Sequence, residues 1–244
     1  MVSRCRPSGS APGRIRAALA LLIGLTLALT GCTISVSEGP PRSAPSDGGT
    51  ETGVDQPVGS DADQRQVDER TAVGVVDRYW QRHFGELTGR RYESPQVAGP
   101  YTGTSGPACG GQPSVPGNAF YCPVGDFLAW DEDLMRAGYD RIGDAWVYLI
   151  ISHEWGHAIQ ARLRRGQVSV AAELQADCLS GAALLGAVND GDLRLEQGDE
   201  EEIAQTLAVV ADDFPWTDSR SHGNAEQRTS AFEAGANSGP RACI

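Results

Sequence analysis

Ile151-Ser-His-Glu-Trp-Gly-His157 is the stretch that determines the fold and chemistry of this chain, because it places the pattern H-E-x-x-H within an apolar run. On an α-helix, residues four positions apart lie on one face, so His153 and His157 can bind one metal ion together. Glu154 is not needed as a ligand and can hold and deprotonate a water molecule at that metal. The pattern predicts a zinc site and peptide-bond hydrolysis. The alternative is a buried helix with two incidental histidines.

The residues around this motif predict a long central helix. From about Asp144 onward, apolar residues occupy almost every helix face, and a helix that is apolar all round is normally buried. The run ends at residues 162–165, which contain three arginines, and at Gly166. Basic residues followed by glycine are typical of a helix C-terminus.

The first 66 residues predict an export signal, a lipid anchor and a tether. Four arginines precede an uncharged apolar core at residues 17–29, which is too short to span a bilayer comfortably. Leu29-Thr-Gly-Cys32 then resembles the lipobox of bacterial lipoproteins, in which the cysteine is acylated and begins the mature chain. We expect residues 1–31 to be removed and residues 32–66, rich in Pro, Gly, Ser and Asp, to form a disordered tether. The alternatives are an ordinary signal peptide or an uncleaved anchor.

Charge and cysteine content agree with an exported protein. Removing residues 1–31 takes away four arginines and no acid, so the net charge falls from −12 to −16, and we expect no nucleic-acid partner. Four cysteines remain in the body of the chain, and in an oxidising compartment they predict two disulfides. Nearness in sequence favours Cys109 with Cys122, which leaves Cys178 with Cys243. A cysteine metal site is less favoured because no C-x-x-C pair occurs.

Residues 67–244 form the predicted folded domain. Residues 67–87 have the apolar spacing of an amphipathic helix, and residues 90–118, rich in Gly, Pro and Ser, predict a loop. Two short strands at residues 119–122 and 127–131 then flank a tight turn. An edge strand beside the metal helix can bind a peptide backbone by strand addition, or the hairpin can be purely structural.

Two helix starts are predicted on either side of the metal motif. Asp131 and Asp133 can cap a helix that begins near Leu134. After the acidic loop of residues 189–199, Glu200-Glu-Glu-Ile203 is predicted to begin another helix, and residues 203–212 carry its apolar spacing.

Two histidines leave a zinc site incomplete, so a third ligand must come from elsewhere. The extended metzincin pattern fails, because Gln160 stands where its glycine belongs and no third histidine follows. Downstream, Ala172-Glu-Leu-Gln-Ala-Asp-Cys178 predicts a second helix with Glu173 and Asp177 on one face. Spacing alone does not decide which carboxylate is the ligand, and the pair could also belong to a solvated acidic face.

These motifs together resemble the bacterial neutral zinc metallopeptidase family. The run E-L-Q-A-D-C follows the H-E-x-x-H helix, A-C-G…F-Y-C-P…D precedes it, and S-H-G-x-x-E-Q-R closes the set, so the resemblance spans about residues 108–235. A more distant similarity is to the CAAX prenyl endopeptidases. The resemblance implies a gluzincin-like enzyme with Glu173 as the third zinc ligand and Asp177 as the carboxylate that orients a ligating histidine.

The last motif supplies two further candidate site residues. By the resemblance, His222 would donate a hydrogen bond to the oxyanion of the tetrahedral intermediate. It could instead cap the N-terminus of a helix. Arg228 could hold a carboxylate of the site or assist the oxyanion, or it could form a structural salt bridge.

The sequence therefore predicts a mostly helical α+β domain with a small β-hairpin beside the active-site helix. The predicted protein binds one zinc ion per chain and cleaves a peptide or protein substrate as an endopeptidase. Its lipid anchor would hold it to the cell membrane on the extracytoplasmic face. The alternative is a non-catalytic envelope lipoprotein whose zinc site is structural and closed by a fourth protein ligand.

Overall fold

The computed structural model describes residues 61–163, 169–212 and 222–244. The predicted signal, Cys32 and residues 33–60 of the predicted tether lie outside this part of the chain. Within it, the fold is mostly helical with a small three-stranded sheet, which confirms the predicted α+β class. The elements in order are α1 (Asp61–Thr88), β1 (Gln96–Tyr101), β2 (Ala119–Cys122), β3 (Phe127–Asp131), α2 (Glu132–Arg141), α3 (Ala145–Leu163), α4 (Val170–Asp190), α5 (Asp199–Val209), α6 (Ala225–Ser238) and a 3₁₀-helix (Pro240–Cys243).

The helix that carries the H-E-x-x-H motif, α3, lies at the centre of the fold. Most of its residues are buried on every face, as its nearly continuous apolar sequence predicts. It packs against α1, α2, α4, α5 and β2. None of the described helices is both long enough and apolar enough to cross a membrane. The predicted end of α3 at Gly166 lies outside the described residues.

The sheet places an edge strand beside α3. Its strand order is β1-β3-β2, and β2 and β3 form the predicted antiparallel hairpin. The prediction that all of residues 90–118 are loop is wrong, because Gln96–Tyr101 form β1 and pair in parallel with β3. Gly99 and Pro100 weaken the local strand signal. The strand therefore depends on its long-range pairing, which is irregular between Val97 and Gly99.

Three helices begin earlier than their sequence patterns indicate. α1 begins at Asp61, six residues before the predicted start, and Arg65 in its second turn is only 3% exposed. α2 begins at Glu132 because the Asp131 side chain accepts a hydrogen bond from the Asp133 backbone N–H. α5 begins at Asp199, where four acidic residues in the first turn favour the helix dipole.

Both disulfides favoured by nearness in sequence are present. Cys109 bonds to Cys122 and fixes the preceding loop to β2. Cys178 bonds to Cys243 and fixes the C-terminal 3₁₀-helix to α4. Each disulfide therefore links a segment without long regular structure, the loop or the 3₁₀-helix, covalently to a strand or a helix.

The crossing of α3 and α4 depends on Gly156. A Cβ atom at this position would lie 2.8 Å from the Ala176 carbonyl oxygen and 2.9 Å from its Cα. Both distances are shorter than a side-chain carbon can tolerate, so only glycine allows the two helices this close. The close approach brings the face of α4 that carries Glu173 and Asp177 against the histidines of α3.

Replacing Gly156 by alanine should lower the free energy of unfolding by about 1–3 kcal/mol, because the added methyl group forces α3 and α4 apart. Chemical denaturation followed by circular dichroism measures the change. Gly85→Ala in α1 is the matched control, since a Cβ there makes only an ordinary 3.7 Å contact with the Arg90 carbonyl. That variant should be unchanged or more stable, because alanine is the better helix former. Equal losses in both variants would contradict the role given to Gly156.

Candidate metal centre

Three side chains from α3 and α4 converge at the crossing of the two helices. His153 Nε2 lies 3.2 Å from Glu173 Oε2, and His157 Nε2 lies 3.6 Å from Glu173 Oε1. One ligand atom from each residue lies within 4.8 Å of the others. The structure therefore brings together the three residues that were predicted as zinc ligands.

The second ring nitrogen of each histidine shows that this set fits a metal ion. His153 Nδ1 lies 2.8 Å from Asp177 Oδ1, and His157 Nδ1 lies 2.9 Å from Gln160 Oε1. Because both partners are acceptors, each Nδ1 carries a hydrogen, and in the neutral ring Nε2 then directs a lone pair at the Glu173 carboxylate. Acceptors that face one another need a proton or a metal ion between them. Zinc bonds of 2.0–2.1 Å in a tetrahedron place ligand atoms about 3.3 Å apart, close to the observed spacing.

The electrostatic environment also favours positive charge between these groups. Burial opposes a charge on His153, but the carboxylates of Asp177 and Glu173 outweigh burial and raise the pKa of His153 to about 10. Burial opposes a charge on His157 as well, and its hydrogen bond to Glu173 raises its pKa. Burial favours the neutral form of Glu173, yet the two imidazoles hold its pKa well below the usual range. A divalent cation can supply the same positive charge in place of the protons.

The structure separates Glu173 from Asp177, which the spacing alone could not do. Glu173 faces the Nε2 atoms of both histidines. Asp177 is fully buried, and the histidine atom that it contacts is Nδ1 of His153. Burial would raise the pKa of Asp177, but His153 and Arg228 hold it below its ordinary value. Glu173 is therefore the carboxylate that could hold a metal ion together with both histidines, and Asp177 the one that could orient His153.

Arg228 holds the Asp177 carboxylate through two hydrogen bonds. Its Nε donates to Oδ2 at 2.9 Å, and its Nη2 donates to Oδ1 at 2.8 Å. Its Nη1 also donates to the Val210 carbonyl at 2.6 Å, and the side chain is almost fully buried. The two predicted roles of Arg228, as support for a site carboxylate and as a structural salt bridge, describe the same contact.

Gln160 is a site residue that the sequence patterns did not identify. It is fully buried, its Oε1 accepts the His157 Nδ1 hydrogen, and its Nε2 donates to the Ala172 carbonyl at 2.5 Å. Ala172 precedes Glu173, so one amide orients a histidine of α3 and ties it to the start of α4. The sequence feature that could have identified Gln160 is its position three residues after His157, on the same face of the helix.

The candidate ligands open onto a cleft of about 420 Å³ between α3, β2 and the start of α6. Glu154 lines this cleft, and its Oε2 accepts a hydrogen bond of 2.9 Å from the Tyr121 backbone N–H on β2. The carboxylate of Glu154 therefore lies beside the metal ligands without being one of the three that converge.

His222 lines the same cleft. Its imidazole Nδ1 lies 3.4 Å from Asp212 Oδ1, and the backbone N–H groups of His222 and Gly223 also donate to the Asp212 carboxylate. The alternative that His222 caps α6 is wrong, because the N-cap is Asn224. Asp212 is a second residue near the cleft that the sequence patterns did not identify.

A family model described as "Putative neutral zinc metallopeptidase" matches residues 5–244. Two curated relatives are the "Uncharacterized protein YpfJ" of Escherichia coli strain K12 and of Escherichia coli O6:H1 strain CFT073. Each is 31% identical over 203 residues, an alignment that covers 70% of this chain and 68% of the relative. No solved structure gave a significant match.

Replacing Gln160 by leucine should weaken zinc binding about 10–100-fold, because His157 loses the acceptor that fixes its ring and tautomer. Competition with a chromogenic chelator measures the dissociation constant. Gln81→Leu is the matched control, since Gln81 is exposed on α1 and bonds only to Asp77 within that helix. Gln160→Glu keeps an acceptor for His157 and should restore part of the affinity. Unchanged affinity in Gln160→Leu would show that Gln160 does not support the site.

Proposed function

This chain belongs to the neutral zinc metallopeptidase family, and from that membership and its site we propose that it is an endopeptidase with one zinc ion per chain. The observation that carries the proposal is the convergence of His153, His157 and Glu173 at an open cleft, with Glu154 beside them. A His₂Glu set with an open fourth position is the ligand arrangement of catalytic zinc sites.

In the proposed reaction, His153, His157 and Glu173 would hold the metal. When bound, zinc supplies a Lewis acid that lowers the pKa of a water molecule and polarises a carbonyl group. Asp177 and Gln160 keep both Nε2 atoms directed at the metal position by accepting the Nδ1 hydrogens. The buried contacts around the ligands therefore hold the geometry in place before substrate binds.

Glu154 is proposed as the proton carrier. It would take a proton from the attacking water at one carboxylate oxygen and later give it to the leaving amine. The hydrogen bond from the Tyr121 N–H to Glu154 Oε2 fixes the plane of the carboxylate. This contact also links the general base to β2, the strand next to which a peptide would lie.

His222 is proposed to stabilise the oxyanion of the tetrahedral intermediate. Its position in the lining of the cleft that holds the candidate ligands supports a donor role toward the reacting carbonyl. The Asp212 carboxylate lies near Nδ1 and can fix the ring, and Nε2 then donates to the oxyanion when both ring nitrogens carry a hydrogen. Arg228 donates its hydrogen bonds to Asp177 and to the Val210 carbonyl. We therefore propose that it supports the ligands through Asp177 and does not contact the oxyanion.

The edge of β2 supports a peptide as the substrate. The Tyr121 N–H points away from β3 toward Glu154. Because backbone groups alternate along a strand, the N–H and C=O of Ala119 point to the same side, into the cleft. An extended peptide can bind the N–H and C=O of Ala119 by strand addition, while the Tyr121 N–H holds Glu154. Such binding recognises a peptide backbone with little demand on its side chains.

A structural zinc site is the less favoured alternative. Such a site is normally closed by a fourth protein ligand, whereas in the described residues the metal group consists of three side chains at a cleft. Asp177, the nearest further carboxylate on α4, is already bound by His153 and Arg228. A structural site would also have no use for Glu154.

We propose further that the protein is anchored by a lipid on Cys32 and acts on the extracytoplasmic face of the cell membrane. The support is the basic and apolar leader followed by Leu29-Thr-Gly-Cys32. The two disulfides add to it, because disulfides persist in oxidising compartments. The acylated cysteine would hold the domain near the membrane through the tether that follows Cys32.

Replacing Glu154 by glutamine should lower kcat about 10²–10⁴-fold, because the amide cannot accept the proton of the attacking water. Cleavage of an unstructured protein is measured before and after chelation, and zinc content is measured by elemental analysis. Zinc should stay at one per chain in the variant. Glu86→Gln, at an exposed position on α1, is the control and should keep full activity. Full activity of Glu154→Gln with zinc bound would exclude this mechanism.

Replacing Cys32 by serine should abolish incorporation of a labelled fatty acid and release the protein from the membrane fraction. Expression in a bacterium that processes lipoproteins, followed by fractionation, measures both. Cys5→Ser lies in the predicted leader and should leave labelling unchanged. If the unaltered chain takes up no label, the proposed lipid anchor is wrong.

A further inference from the structure

The cleft at the candidate metal centre has two chemically different ends along α3. At one end lie the ionisable residues already described. At the other end the lining is apolar and comes from α2, α3 and the residue that follows α5: Leu134, Trp146, Leu149, Ile150 and Val210. Among the described lining residues, the acidic, histidine and arginine side chains all belong to the metal end: His153, Glu154, His157, Glu173, His222 and Arg228.

The apolar end is a surface and not only part of the core. Leu149 is fully buried and Trp146 nearly so. Leu134 and Val210 are only partly buried, and Ile150 is 8% exposed, so the lining includes side chains that a ligand can contact. A concave apolar surface beside a few convergent polar groups is the usual form of a site that recognises an apolar group.

The spacing on α3 places this surface within reach of a bound peptide. Ile150 precedes Glu154 by four residues, which is about 6 Å along the helix axis. An extended peptide advances about 3.3–3.6 Å per residue. A peptide whose scissile bond lies at Glu154 and the metal ligands therefore brings the side chain of a flanking residue over Ile150.

We propose that the apolar end is a substrate subsite that binds an apolar side chain, such as leucine or phenylalanine, at a residue flanking the scissile bond. This rests on the proposed function, whose substrate class it names. A charged side chain bound there would lose its hydration without gaining an ionic partner from the lining. The subsite therefore selects for apolar and against charged residues, while the edge of β2 binds the backbone of either.

A panel of internally quenched peptides tests the proposal. The peptides differ only at the two residues that flank one cleavage site, which carry Leu, Phe, Ala, Asp or Lys, and mass spectrometry locates the cut. With the zinc-loaded chain, Leu or Phe at one flanking position should give a kcat/KM about 10-fold or more above Ala. Asp and Lys should fall below Ala.

Two variants then test the lining itself. Leu134→Glu places a carboxylate at the wall, so it should lower kcat/KM for the Leu peptide about 10-fold and raise the Lys-to-Leu ratio. Leu87→Glu makes the same change at a partly buried position of α1 outside the cleft, and its ratios should match those of the unaltered chain. Val210→Ala widens the subsite and should raise the Phe-to-Leu ratio. That readout holds even if Leu134→Glu fails to fold.

The outcomes separate this proposal from the one it rests on. If no peptide or unstructured protein is cleaved in a chelator-sensitive way, the proposed function is wrong. If cleavage occurs with no preference among Leu, Ala, Asp and Lys, the enzyme assignment stands and the subsite is overturned. An apolar preference whose ratios do not change in Leu134→Glu or Val210→Ala also overturns it, because the preference would then arise elsewhere.

Discussion

The candidate site depends on the close crossing of α3 and α4 at Gly156 and Ala176. Glu173 and Asp177 lie one turn apart on α4, on either side of the crossing, and His153 lies between them. One carboxylate therefore meets Nε2 of the imidazole and the other meets Nδ1. The tautomer and the charge of the His153 ring both depend on the separate contacts of Glu173 with Nε2 and of Asp177 with Nδ1. A wider crossing of α3 and α4 would break both contacts.

The groups behind the ligands are buried, and each has a partner. Asp177 is held by Arg228, which also bonds to the Val210 carbonyl just beyond α5, and the neighbouring Cys178 is joined to the C-terminus by a disulfide. A buried carboxylate left without its partner is strongly destabilising. The arrangement therefore holds α4, α5 and α6 around the histidines and limits their freedom to move.

The other wall of the cleft is fixed to α3 through side chains of the hairpin. The Tyr121 hydroxyl donates to Asp126 in the β2–β3 turn, and Arg162 near the end of α3 donates to the same carboxylate. The Tyr121 backbone N–H meanwhile holds Glu154. One residue thus contacts both the β2–β3 turn and the proposed general base, so the proposed backbone binding and proton transfer would share one support.

The sequence by itself determined the features that local patterns carry. The helical spacing of His153 and His157, the hairpin and the favoured disulfides all depend on neighbours in the chain, and the family motifs supplied Glu173. Only the tertiary structure decided which carboxylate faces which ring nitrogen, that Gln160 and Asp212 support the histidines, and that residues 96–101 pair as a strand. These depend on the distance between helices and on pairing across many residues, and neither quantity is encoded in the periodicity of a single segment.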